Sequence, residues 1–315
     1  MPRSLDDDPA LPPVFSLADA AARGLTARQV RYRVRVGVFT RVGRDRYRRG
    51  DALSTGVNRF QRERLDHVAR ARAAADRNAG AVIGFESAAI CLGYPLASST
   101  PSEVTLIVAP GRWTGRRSGI RFRSAAVTEA DLVGPGMPVT NPERTWVDLA
   151  RTGSLADALC VGDAALADGA VTSPALARRV ELLVGVRGIR RAHRAFSLIS
   201  GIRESPLESE SYAYFVEHRL PLPICQVSIQ ARDGRFLGRV DFLWEAVRLV
   251  GEADGRLKYA DADAVYAEKR REDEIRAEGY GFIRWGKADL RTPALADRLR
   301  GLMLRDLQKA TPRAG

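Results

Sequence analysis

The stretch RVDFLWEAVRLVGEADGRLKY (residues 239–259) places three acids, Asp241, Glu252 and Asp254, inside two otherwise apolar runs. A carboxylate buried in such a run is costly unless a cation or a metal accompanies it. FLGRVDFLW and VRLVGEADG read as two strands joined by a short turn, which predicts an antiparallel hairpin. Side chains alternate along a strand, so Glu252 and Asp254 share a face, and a suitable register sets Asp241 beside them. Acids gathered in this way repel one another, and a divalent cation would neutralise them. Oxygen-only ligands favour Mg²⁺ or Mn²⁺. Such an ion can activate water and stabilise charge on a phosphate under attack. The expected metal ligands are therefore Asp241, Glu252 and Asp254.

A further acid lies upstream in ESPLESESYAYFVEHRL. Ser205 can cap a helix that has Pro206 at its first position, and Glu208 at the third completes a capping box. The same carboxylate shares a helix side with Tyr212 and Phe215, a side that would pack on the sheet and aim Glu208 at the hairpin. Both roles are open to it.

Charge is distributed unevenly along the chain. The net charge is +12 overall, and residues 23–49 alone hold ten arginines against one acid, Asp45. Residues 201–315 hold 20 basic and 19 acidic residues, so the basicity is local. A concentrated basic segment should meet a polyanion. FSLADAAARGLTARQVRYRVRVGVFTRVGRDRYRRG also has a two-helix grammar. Ser16 caps a short helix stopped at Gly24, and Thr26 caps a second helix reaching about Val36. Arg28, Arg31 and Arg35 recur on one face of that second helix. VFTRV-GRD-RYRR then forms a small hairpin with the shape of a wing, bringing Arg41, Arg44 and Arg46. The second helix would enter a DNA major groove while the wing holds phosphates. A solvated basic helix, or a patch for RNA or an acidic protein, is the alternative.

The remaining composition excludes several classes. No run of about 18 apolar residues occurs, so no membrane span is expected. The acidic, proline-rich start MPRSLDDDPALPPVF lacks the pattern of a signal peptide. Cys91, Cys160 and Cys225 are isolated, and His67, His193 and His218 are scattered singly. This argues for a reducing, cytoplasmic setting and against disulfides, thiolate zinc sites or a histidine-based triad. Between the two ends, residues 58–77 predict a charged helix, GFESAAICLGYPL a short helix, and SEVTLIVAP and IRFRSA strands. In MPVTNPERTWVDLA, Asn141 precedes a helix that starts at Pro142, with Glu143 and Arg144 as helix-terminal residues.

Two resemblances follow. The wing, ESAAICLGYPL and PVTNPERTWVDLA resemble the AbiEi family over about residues 12–200. AbiEi proteins are antitoxins of bacterial toxin–antitoxin systems, winged-helix DNA binders that repress their own operon. This resemblance implies a non-catalytic repressor with a cognate toxin as partner. SPLE, RVDFLW, GEADG, the basic helix AEKRREDEIRAEGY and FIRW, over about residues 203–308, resemble the restriction-endonuclease-like PD-(D/E)XK fold. Within that fold they look like the family related to the Vsr very-short-patch-repair endonucleases. By that resemblance Glu208 is the helix acid, Asp241 the central metal ligand and Glu252 the first residue of the E-x-K element. Asp254 stands where the fold usually has lysine, and Lys258 where the subfamily commonly has histidine.

The expected architecture is α/β and multidomain. A winged helix-turn-helix spans residues 12–50, a middle α/β module 51–200, and an endonuclease-like α/β domain 201–312. The expected function is DNA binding coupled to Mg²⁺- or Mn²⁺-dependent phosphodiester hydrolysis. Glu208, Asp241, Glu252, Asp254 and Lys258 would form the catalytic set, and Arg28, Arg31, Arg35, Arg41, Arg44 and Arg46 the DNA contacts. The alternative is an AbiEi-type autorepressor.

Overall fold

The structure is a computed structural model describing residues 11–12, 14–27, 29–30, 34, 39–43, 45–49, 59–134, 137–254 and 262–310. Arg28, Arg31, Arg35, Arg44 and Lys258 lie outside the described residues. Among those described, the chain is a mixed α/β protein with three sheets and ten α-helices. No helix among them is long and apolar enough to cross a membrane. The chain divides into two compact units: residues 1–93 with 99–148, and 94–98 with 149–315. The first holds the expected basic module and the front of the expected middle one. The second joins the helices after residue 148 to the C-terminal module.

The first unit begins with β1 (Val14–Phe15) and α1 (Leu17–Ala21). Ser16 caps α1 in a full capping box with Asp19, and Gly24 turns the chain at φ +82°. Thr26 opens the next helical segment. Its Oγ accepts the Gln29 N–H (3.2 Å) while Gln29 Oε1 accepts the Thr26 N–H (2.8 Å). β2 (Phe39–Gly43) and β3 (Arg46–Arg49) pair antiparallel as the expected hairpin, and β1 adds to β3 in a three-stranded sheet. Phe15, Phe39 and Tyr47 from its strands pack with Leu25 and Val30 in a small core. Those rings, with Phe15 edge-on to Phe39 at 4.9 Å, bury the apolar face of the module.

Next come α2 (Arg59–Arg77), β4 (Val82–Ile83), α3 (Phe85–Cys91), β5 (Val104–Val108), β6 (Gly115–Arg117), β7 (Ile120–Ser124), β8 (Leu132–Gly134) and β9 (Met137–Thr140). The strands form one sheet in the order β6-β7-β5-β4-β9-β8. β5 is buried along its whole length, which explains its unbroken apolar sequence. Alanines of α2 and α3 pack against β4 and β5, their small side chains allowing a close approach. The chain enters the second unit within α4 (Pro142–Thr152), whose start Asn141 caps through the Arg144 N–H at 2.9 Å.

The second unit continues with α5 (Leu155–Ala167), α6 (Ser173–Glu181), α7 (Ile189–Phe196) and α8 (Pro206–Glu217). A four-stranded sheet follows in the order β10-β11-β12-β13, with β10 (Ile224–Gln230), β11 (Phe236–Trp244), β12 (Leu249–Ala253) and β13 (Gly281–Trp285). β11 and β12 are the expected antiparallel hairpin, and β12 and β13 run parallel through α9 (Ala262–Ala277). α10 (Ala294–Ala310) ends the unit. Phe215 of α8 and Leu299 of α10 pack on Phe242, Trp244 and Trp285. Ile275 of α9 packs with Leu243 and Val250 in a separate core cluster. Each strand thus contributes to both cores. Gly251 is required between the two indoles, since a Cβ there would sit 2.7 Å from Trp285 and 2.9 Å from Trp244.

Candidate functional site

Three of the expected acids meet where β11, β12 and the start of α8 converge. Phe242 pairs with Gly251 and Leu243 with Val250. Continuing that register sets Asp241 opposite Glu252, on the face shared with Leu243 and Val250. The β10–β11 register, with Cys225 opposite Phe242, sets Gln226 on the other side of Asp241. Asp241 Oδ2 accepts the Ala253 N–H at 2.9 Å, and its Oδ1 lies 3.4 Å from Gln226 Nε2. Gln226 Nε2 also donates to Glu208 Oε2 at 2.7 Å, so one amide links two carboxylates.

Glu208 is buried at the start of α8, and its cap is only half the expected box. Ser205 Oγ accepts the Glu208 N–H (3.2 Å), but the Glu208 carboxylate accepts the N–H of Glu204 (3.0 Å) and the Gln226 amide. The helix start is anchored from below. Asp163 of α5 and Arg203 form a buried ion pair, Arg203 Nε to Asp163 Oδ2 at 2.7 Å, and Ser209 Oγ donates to the same Asp163 oxygen at 2.6 Å. With Ser209 tied to α5, the neighbouring Glu208 is held toward the sheet.

Burial and mutual repulsion govern the proton affinity of the two hairpin acids. Burial, and then the charge of Glu208, push the Asp241 carboxyl up to about 6, against its hydrogen bond from the Ala253 N–H. Burial, and then the charge of Asp241, push Glu252 up to about 7, although Arg271 lowers it. Arg271 Nη2 lies 3.3 Å from Glu252 Oε1 and its Nη1 donates to the Arg239 carbonyl at 2.9 Å.

The expected trio of ligands divides. Asp254 does not join Asp241 and Glu252; its carboxylate lies 3.6 Å from Arg284 Nη1, a cation that also binds Glu268 and Glu272. Among the described residues no three His, Cys, Asp or Glu form a metal-holding cluster. What the site offers is a pair, Asp241 and Glu252, short of positive charge. That fits Mg²⁺, which is usually held by one or two carboxylates and completes its shell with water and phosphate oxygens. Arg239, a conceivable partner for Asp241, instead binds Glu204 at 2.6 Å.

Two contributors were not expected. Gln226 has φ +54°, a conformation uncommon outside glycine, and it interrupts the alternation of β10. Its only sequence signal is a polar residue in the apolar run PICQVSI. Arg271 comes from the basic helix but was not singled out within it. On the basic module, Arg46 pairs with Asp76 of α2 (3.4 Å) and Arg48 with Asp66, so α2 partly neutralises the wing-shaped hairpin. Arg41 is exposed.

No family model matches the chain. It is 30% identical over 148 residues to an uncharacterized protein, Rv2248, of Mycobacterium tuberculosis strain H37Rv, and equally to its counterpart MT2308 in strain CDC 1551. Each match covers 47% of this chain and 54% of the relative, so the chain spans about half the length of the curated relatives it matches. The crystal structure of the RV2827C protein from Mycobacterium tuberculosis is similar over 70% of this chain and 84% of its own, at 19% identity and a TM-score of 0.38. That likeness is too slight to carry a functional assignment.

Proposed function

We propose that the chain is a DNA-binding protein of a reducing, cytoplasmic setting, with a metal-dependent phosphodiesterase module of the Vsr-related PD-(D/E)XK type. The observation that carries this reading is the pairing of Asp241 with Glu252 across the β11–β12 ladder, with Gln226 tying Asp241 to Glu208. Asp241 and Glu252 would hold Mg²⁺ or Mn²⁺, whose chemistry there is to activate water and stabilise charge on the scissile phosphate. Gln226 keeps Asp241 and Glu208 together despite their repulsion. Glu208 orients that amide, and Arg271 favours the ionised form of Glu252 and partly neutralises it. In this reading Lys258 stabilises phosphate charge, and Asp254 acts through Arg284 rather than as a ligand. The winged helix-turn-helix would supply affinity through Arg28, Arg31, Arg35, Arg41 and Arg44, with Arg46 released from Asp76 on binding.

The second reading is an AbiEi-type autorepressor with a toxin partner. The pairing of Glu252 with Arg271 and of Asp254 with Arg284 favours it, because acids held by arginines can be purely structural. One pair of assays separates the two. Nicking of supercoiled DNA in Mn²⁺, lost in Asp241→Asn, supports the nuclease; metal-independent binding without nicking by the wild type supports the repressor. In either case duplex affinity should fall roughly a thousandfold between about 50 and 200 mM salt, as for about six phosphate contacts. A gel shift unchanged by Arg28→Ala, Arg31→Ala and Arg35→Ala together would remove the winged-helix assignment.

A further inference from the structure

The chain has four tryptophans, and three of them, Trp146, Trp244 and Trp285, are at most 4% exposed. Trp113, just ahead of β6, is 60% exposed. Its ring is nevertheless held in place. It meets Phe122 of β7 edge-on at 5.7 Å, and Gly115 lies so close that a Cβ would sit 2.8 Å from the indole. Gly115 has φ +140°, so glycine is required on both counts. One indole face is thus buttressed while much of the ring stays in water.

This ring lines a cleft of about 770 Å³ within the first unit. Its floor is apolar, with Val108 and Phe122, and Val42 of the β2–β3 hairpin forms part of its wall. Its polar lining includes Arg77, Arg112 and Arg117 and, among the described residues, no carboxylate. Nearby Arg116 and Arg121 share Glu103 at 3.1 and 3.3 Å. Arg77, Arg112 and Arg117 have no acidic partner among the described residues. An aromatic platform with cations around it and no acid between them is the chemistry of single-stranded nucleic acid, whose bases stack and whose phosphates need positive charge. An acidic peptide would use the arginines but has no use for an exposed indole.

We propose that this cleft binds a single-stranded segment of nucleic acid, one base stacked on Trp113 and successive phosphates on Arg77, Arg112 and Arg117. The inference shares only its ligand class with the DNA-binding reading above; it does not depend on the winged helix or on the acid cluster. The β6–β7 edge would hold an unpaired strand while another surface holds duplex.

Trp113 is the exposed one of four indoles, so quenching of full-chain fluorescence that disappears in Trp113→Ala reports the cleft. Titration with a twelve-residue oligothymidylate should give saturable quenching, with a salt slope of about −2 for three phosphates on a single strand. Trp113→Ala should weaken oligonucleotide binding, followed by anisotropy of a labelled oligomer, roughly tenfold, the share of one stacked base. Trp113→Phe should largely restore it, which separates stacking from a folding defect. Arg112→Ala with Arg117→Ala should make the slope shallower by about 1.4 while duplex gel shifts stay unchanged. Quenching should persist in the Arg28, Arg31, Arg35 alanine variant, so loss of duplex binding there is a separate failure. Absence of quenching, oligomer affinity indifferent to Trp113→Ala, or equally tight binding of oligoglutamate would overturn the proposal.

Discussion

Gln226 Nε2 lies 2.7 Å from Glu208 Oε2 and 3.4 Å from Asp241 Oδ1, so one neutral amide stands between two acids from different elements. Its backbone is held at φ +54° to reach them. A strained residue kept at such a point is a mark of a site over-determined by its surroundings.

Gln226→Glu replaces the bridging donor with another carboxylate. The metal-free protein should lose on the order of 1–3 kcal/mol, from like-charge repulsion and a lost hydrogen bond. The deficit should be larger at pH 8, where Asp241 and Glu252 are ionised, than at pH 5. Denaturant titrations at the two pH values check this, and an equal deficit at both would mean that the amide does not separate charges.

Asp241→Asn keeps shape and an acceptor for the Ala253 N–H while removing one negative charge. Without metal the substitution should raise the melting temperature slightly, because Glu208 and Glu252 lose a repelling neighbour. In Mn²⁺ the wild type should gain stability and the variant should not. A wild-type melt indifferent to Mn²⁺ would contradict Asp241 and Glu252 as metal ligands.

His67 is buried, with Nε2 2.8 Å from Ser87 Oγ and Nδ1 3.0 Å from the Pro101 carbonyl. Burial first, and then Arg70, push it down to about 4 from its ordinary 6.5. The unfolded chain therefore binds more protons between these values. Stability is fully present above about pH 6.5 and falls as the pH drops toward 4, by up to about 3 kcal/mol from this group. His67→Gln should flatten that part of the pH–stability curve, measured by urea unfolding. An unchanged slope would assign the acid sensitivity elsewhere.

Gly251→Ala places a methyl between Trp244 and Trp285, at 2.9 and 2.7 Å. Overpacking of this kind costs about 1–3 kcal/mol. The β11–β12 ladder that carries Asp241 and Glu252 would shift with it, so any metal-induced stabilisation should weaken too. A crystal structure of the variant with both indoles unmoved would refute this.

Much of the local architecture was legible along the chain. Ser16, Thr26, Asn141 and Ser205 each cap a helical segment, because a cap depends on residues within three positions of one another. The hairpin carrying Asp241 and Glu252 was legible for a similar reason, since alternation and a short turn are properties of neighbours. Where a charged side chain finds its partner is different in kind, because the partner arrives from far along the chain. Asp254 follows Glu252 by two residues and would share its face, yet Arg284 draws it away. Arg46 looked free for phosphate until Asp76 of α2 reached it. Glu208 could be read as half of a capping box or as an acid aimed at the hairpin, and it is Gln226 of β10 that ties its carboxylate to Asp241. Sequence patterns govern backbone periodicity and short-range hydrogen bonds. The balance of buried charge was set by tertiary packing, which chooses among arginines and acids that no pattern along the chain distinguishes.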